Sequence, residues 1–161
     1  MARLTIPVQL RWSDMDAYAH VNNVAMLTLL EEARIQAFWR QAASAEAPAA
    51  VWPTAVLDAG PGAELSTLVA RQEIEYLRPL GYRRTPVLVE MWIGHLGGAS
   101  LDVCYEVRDA PADAGGVVHA RALTTVVLVD TATGAPRRIG PEVRAAWEVY
   151  LEEPVQLRRR R

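Results

Sequence analysis

Lysine is absent from this 161-residue chain: all seventeen basic residues are arginine. Cysteine occurs once, as Cys104, and asparagine occurs only as the adjacent pair Asn22 and Asn23. One thiol excludes an intrachain disulfide and a cysteine-based zinc cluster. No apolar run is long enough to span a bilayer, and the opening MARLTIPVQLRW has neither the apolar core nor the cleavage site of a signal peptide. A cytoplasmic protein without membrane insertion is therefore expected. The net charge of −2 becomes −6 once the four arginines at 158–161 are set aside, so the body of the protein is mildly acidic. That balance argues against a nucleic-acid footprint. Also missing are G-x-S-x-G, G-x-x-x-x-G-K-[ST], H-E-x-x-H and a G-x-G-x-x-G following a strand. His20, His95 and His119 lack metal-like spacing. The chemistry is expected to need no metal and no cofactor.

What is present reads as one domain over 1–155 followed by an arginine-rich tail, 156–161, expected to be disordered. Leu4, Ile6, Val8, Leu10 and Trp12 alternate with more polar residues, the period of a half-buried strand. From Asn23 to Ala43 no turn residue appears, and apolar side chains fall on nearly every helical face. At ~1.5 Å per residue that is a helix of about 30 Å, which other structure must wrap. Asn22 or Asn23 is suited to cap it. Strand signals follow at Thr54–Asp58, Leu65–Leu77, Val87–His95, Ala99–Arg108 and Val117–Asp130, separated by short turns. A short amphipathic helix begins at Pro141. The order predicts an α+β fold, an antiparallel sheet wrapped around one long central helix. Apolar residues on both faces of the later strands predict an oligomer.

The chemistry-bearing residues gather in SDMDAYAHVNN, residues 13–23. Asp14 and Asp16 end the first strand, and His20, Asn22 and Asn23 lead into the helix. The N-terminal amides of a buried helix carry partial positive charge and form a seat for a developing oxyanion. The chain from Asp16 to Asn23 is short enough to bring a carboxylate over that seat. Two turns into the helix, Glu31 and Glu32 need a partner or a water-lined cavity, and Arg34 can pair with either. Cys104, mid-strand, reads as inert packing.

DMDAYAHVNN, followed by EEAR at 31–34, resembles the hotdog-fold thioesterases of the 4-hydroxybenzoyl-CoA thioesterase-like branch. Softer similarities are IEYLRPL at 74–80, TTVVLVDTATGAPRRI at 124–139 and the GPEVRAAW helix, so the likeness spans roughly residues 4–150. The resemblance implies acyl-CoA thioester hydrolysis by a homodimer or homotetramer with sites at the subunit interface. It implies Asp16 as the catalytic carboxylate, the Asn23 amide polarising the thioester carbonyl, His20 and Asn22 orienting carboxylate or water, and Glu31 as a supporting or cross-subunit carboxylate. Acyl-carrier-protein thioesterases share a similar stretch with a functional Asn where this chain has Tyr18, which with Asn22 is a candidate substrate-binding residue. The family's Gly before the His is Ala19 here. Arg83, Arg84, Arg137, Arg138 or the terminal arginines would hold the CoA phosphates. A non-catalytic acyl-CoA binder and a hotdog dehydratase or hydratase are the competing readings.

Overall fold

The computed structural model describes residues 2–40, 52–58 and 60–158. Five strands, β1 (Leu4–Val8), β2 (Leu65–Tyr76), β3 (Val87–Leu96), β4 (Ser100–Arg108) and β5 (Val118–Asp130), accompany two helices, α1 (Asn23–Phe38) and α2 (Pro141–Glu148). The strands form one sheet in the order β1-β3-β4-β5-β2, and every pairing is antiparallel. Its inner face packs on α1. Met26, Leu29, Leu30, Ala33 and Ala37 are buried against residues such as Ile6, Val89, Met91, Val103 and Tyr105. Each large apolar side chain so buried contributes about 1.5–3 kcal/mol. This is the expected hotdog arrangement.

The elements depart from expectation at their ends. The first strand stops at Val8 rather than Trp12, because the Asp14 carboxylate takes the Arg11 amide at 2.7 Å and folds 12–14 into a 3-10 turn. The central helix ends at Phe38; Trp39 turns extended and bridges Leu57, while the Arg40 amide donates to the Leu57 carbonyl. The expected extension over 41–43 lies outside the described residues. Thr54–Asp58 is not a strand. Thr54 is fully buried, donates from Oγ1 to the Ala37 carbonyl and accepts Trp147 Nε1 at 3.0 Å, so this segment spaces α1 from α2.

The second sheet face is partly covered by the chain itself. After α2, Leu151 bridges Ile93, Trp92 Nε1 donates to the Glu153 carbonyl at 3.0 Å, and Val155 approaches Cys104 Sγ. Cys104 is buried beneath this segment, and burial pushes its thiol up from the ordinary range, as inert packing requires. Of the expected tail, Gln156–Arg158 are described, with the Arg158 amide 3.3 Å from Glu75 Oε1; 159–161 lie outside the described residues. Two-faced burial of β3 and β4 thus has an intrachain cause and does not by itself require a partner. The wrapping of α1 is also incomplete in the single chain: Val24 is 66% exposed, and Glu31 and Glu32 face outward. No described helix is long and apolar enough to cross a membrane.

Candidate active site

The turn that carries Asp16 is built by its own backbone. Asp16 donates its amide to the His20 carbonyl at 2.8 Å, and its carbonyl accepts the Ala19 amide at 3.1 Å. The side-chain Oδ1 accepts Tyr18 N–H at 2.8 Å and His20 N–H at 3.2 Å, an Asx turn extended by one bond. Among the described residues Oδ2 accepts none of the hydrogen bonds, so it is the oxygen open to a reactant. Met15 bridges Val21, and the Asn22 amide donates to the Asp14 carbonyl, so the hairpin closes directly onto the helix entrance.

The two aspartates therefore have separate roles. Asp14 is buried and spends its carboxylate on the Arg11 amide and guanidinium. Asp16 is half-buried, with one oxygen uncommitted among the described residues.

At the helix tip, Asn22 is the N-cap, and its Oδ1 accepts the Val24 amide at 2.8 Å. The Met26 amide closes the first turn on the Asn22 carbonyl. Among the described residues this leaves the Asn23 and Ala25 amides without an acceptor, at the positive end of the helix dipole. One contact here was not foreseen: Tyr76, the last residue of β2, donates its hydroxyl to the Asn23 carbonyl at 2.8 Å. Burial pushes the Tyr76 phenol up, which keeps it a donor.

The other candidates separate by position. His20 and Tyr18 are exposed on the turn, and His20 also bridges Gly81. Arg83 and Arg84 follow Gly81 in the chain; Arg83 donates to Thr85 Oγ1 and stands 3.9 Å from Asp109. Arg137 is brought near Glu64 and Asp130, by the start of β2 and the end of β5. Tyr76 and the helix tip are at the opposite end of that twelve-residue strand, so Arg137 does not join Asp16 within one chain. Glu31 is exposed rather than buried, with Arg34 at 3.9 Å as its partner. Arg34 reaches inward to the buried Tyr105 hydroxyl. Among the described residues no group of three or more His, Cys, Asp or Glu side chains is placed to hold a metal.

A five-stranded antiparallel sheet laid on one central helix defines the hotdog class of α+β protein, and here an Asx turn folds against that helix's entrance. Residues 10–147 match the family model of the thioesterase-like superfamily, and the chain belongs to that superfamily. No curated protein matches it. Among solved structures it is similar to a predicted thioesterase from Bacillus stearothermophilus, at 21% identity over 96% of this chain and 100% of that one, with a TM-score of 0.69. A thioesterase from Thermus thermophilus, complexed with coenzyme A and Zn, is 25% identical over 91% of this chain and 92% of that one, with a TM-score of 0.64. A Xanthomonas campestris protein assigned as an acyl-CoA thioesterase is 29% identical over 80% and 93%, with a TM-score of 0.59.

Proposed function

We propose that this member of the thioesterase-like superfamily hydrolyses acyl-CoA to free acid and CoA. The observation that carries the reading is the Asp16 turn closing on the α1 entrance, with Oδ2 and the Asn23 amide both uncommitted among the described residues. The thioester carbonyl oxygen would sit at the Asn23 N–H, where the amide and the helix dipole stabilise the tetrahedral oxyanion. One such donor is typically worth ~10²–10³ in rate. Acting as a general base, Asp16 takes a proton from water; the hydroxide adds to the carbonyl carbon; the intermediate collapses and expels CoA thiolate, which recovers the proton. As a nucleophile, the same oxygen adds to the carbonyl carbon and expels CoA thiolate, leaving an acyl-enzyme anhydride that water then cleaves to the free acid and the Asp16 carboxylate, one proton of that water going to the thiolate. Asn22 fixes the seat by capping, and His20 fixes the carboxylate through its backbone rather than its ring.

The likeness to a coenzyme A complex supports CoA as the leaving group. Arg83 and Arg84 are the arginines proposed to meet its phosphates, since they follow Gly81, which bridges His20. We further propose a homodimer or a homotetramer built from it. β2 is an uncovered sheet edge bearing Leu68, 56% exposed, and Val69, while Val24 and Tyr76 lie open beside the site. A partner there would enclose the cleft and could supply Glu31 or Arg137 to it.

Release of thiol from a panel of acyl-CoAs tests the activity. Turnover with at least one thioester, by a protein that light scattering finds dimeric or tetrameric, is expected. Tight acyl-CoA binding without thiol release would instead establish a non-catalytic binder, the reading favoured if the bonds to Oδ1 serve only the turn. Turnover of acyl carrier protein thioesters alone would move the substrate to that class.

A further inference from the structure

His119, the second residue of β5, is a histidine that neither the proposed chemistry nor the family motif uses. It is buried, and it holds three successive residues after β2. Its carbonyl accepts the amides of Leu77 at 2.8 Å and Arg78 at 3.1 Å, and its Nδ1 lies 3.0 Å from the Pro79 carbonyl. A carbonyl only accepts, so Nδ1 carries the proton and the tautomer is fixed. Nε2 is then a buried atom without a hydrogen bond among the described residues; Asp109 Oδ2 stands 3.7 Å away, beyond bonding reach. The ring leaves one nitrogen unsatisfied while keeping the other on Pro79, so it is the Pro79 contact that sets its orientation.

The segment so held touches both halves of the candidate site. At one end, the Tyr76 hydroxyl donates to the Asn23 carbonyl, at the tip of α1. At the other, the Leu80 carbonyl accepts the Val21 amide at 2.7 Å and Gly81 bridges His20. His20 in turn holds Asp16 through two backbone contacts. Residues 76–81 therefore span from the proposed oxyanion seat to the proposed carboxylate, and His119 grips the middle of the span.

We propose that His119 is a positioning residue: by bonding Pro79 it sets the spacing between Asp16 and the Asn23 amide. The proposal rests on the thioesterase reading for its consequence in rate, and on geometry alone for its effect on the turn. The charged groups beside the ring are Asp109, at the end of β4, and Arg83, on the held connection, which faces Asp109 at 3.9 Å. Neither replaces the Pro79 contact.

Two polar variants separate positioning from packing. In His119→Asn the side-chain amide nitrogen falls near the place of Nδ1 and can donate to Pro79. In His119→Gln it falls near Nε2 and cannot. For His119→Gln, kcat should fall about 10–100-fold, the cost of a misplacement near 1 Å, with KM within about threefold. His119→Asn should stay within about threefold of wild type. Amide exchange at Val21 should quicken in the Gln variant and stay near wild type in the Asn variant. Equal behaviour of the two, whether both near wild type or both impaired in step with their melting temperatures, would overturn the proposal. If the wild-type protein cleaves no thioester, the functional reading fails, and the Val21 exchange rates alone decide whether His119 sets the turn.

Discussion

Ala19 lies at φ +60°, the left-handed region that side chains with a Cβ avoid, and it is the one described non-glycine residue there. The position falls where the resembled family uses glycine, and the geometry gives the reason: the chain must reverse between Asp16 and His20 so that both His20 contacts to Asp16 can form. Alanine there costs about 1–2 kcal/mol of backbone strain. Ala19→Gly should relieve part of it, raising stability by up to about 1 kcal/mol in denaturant unfolding, with little change in activity. A drop in stability would mean that the turn is not strained. Residues adjacent in sequence made this part of the site legible. Asp16, His20, Asn22 and Asn23 meet because the chain folds back on itself within a few bonds. Tyr76 and His119 reach the same place only through the pairing of β2 with β5, and no local pattern marks them. Glu31 sits on a helix that is apolar on most faces, and the single chain does not close over all of them. In the single chain its buried side is a stripe through Met26, Leu30, Ala33 and Ala37, and Glu31 lies off that stripe.

At the scale of elements, period-two alternation is legible in β1 and along most of β5, where buried positions recur at every second residue, whereas the burial of β2 follows no such period and β3 and β4 are buried on both faces. Helix ends were legible only where a local device sets them. Asn22 caps the start of α1 through its own side chain, whereas the end at Phe38 is set by the bridge from Trp39 to Leu57, a contact between distant segments. The short α2 locks that region. Trp147 is buried, meets Phe38 edge-on at 5.2 Å between ring centroids, and donates to the Thr54 carbonyl. Trp147→Ala should cost about 3–5 kcal/mol, measured by denaturant unfolding. A loss under about 1 kcal/mol would show that α2 is a loose appendage rather than part of the core.

Across the whole molecule, ion pairs tie the chain's two ends to the sheet. Arg3 pairs with Glu152 and also reaches Glu90 and Glu106, with its guanidinium 3.8 Å from the Trp92 ring. The hydrogen bond from Arg3 holds Glu152 below the usual carboxylate range. Amide and hydroxyl donors from Thr133 do the same for Asp130. For Asp109 burial acts upward, but hydrogen bonds from backbone amides, that of Val117 foremost, bring it down. Carboxyls with lowered folded values stabilise the protein above their unfolded values, and that contribution disappears as pH falls through the folded ones. The melting temperature should therefore decline from about pH 4 downward, and Glu152→Gln should make the decline shallower. An unchanged acid limb in that variant would remove Glu152 from the account.

The proposed chemistry requires that Oδ2 of Asp16 and the Asn23 amide at the start of α1 act on the same thioester. Asp16→Asn tests it most directly, because the amide oxygen can still accept from Tyr18 and His20 while the charge and basicity are gone. The account predicts a folded protein with wild-type oligomeric state and a melting temperature within a few degrees, whose thiol release from its best acyl-CoA falls at least ~10²-fold. A folded Asp16→Asn protein that retains near wild-type turnover would contradict it.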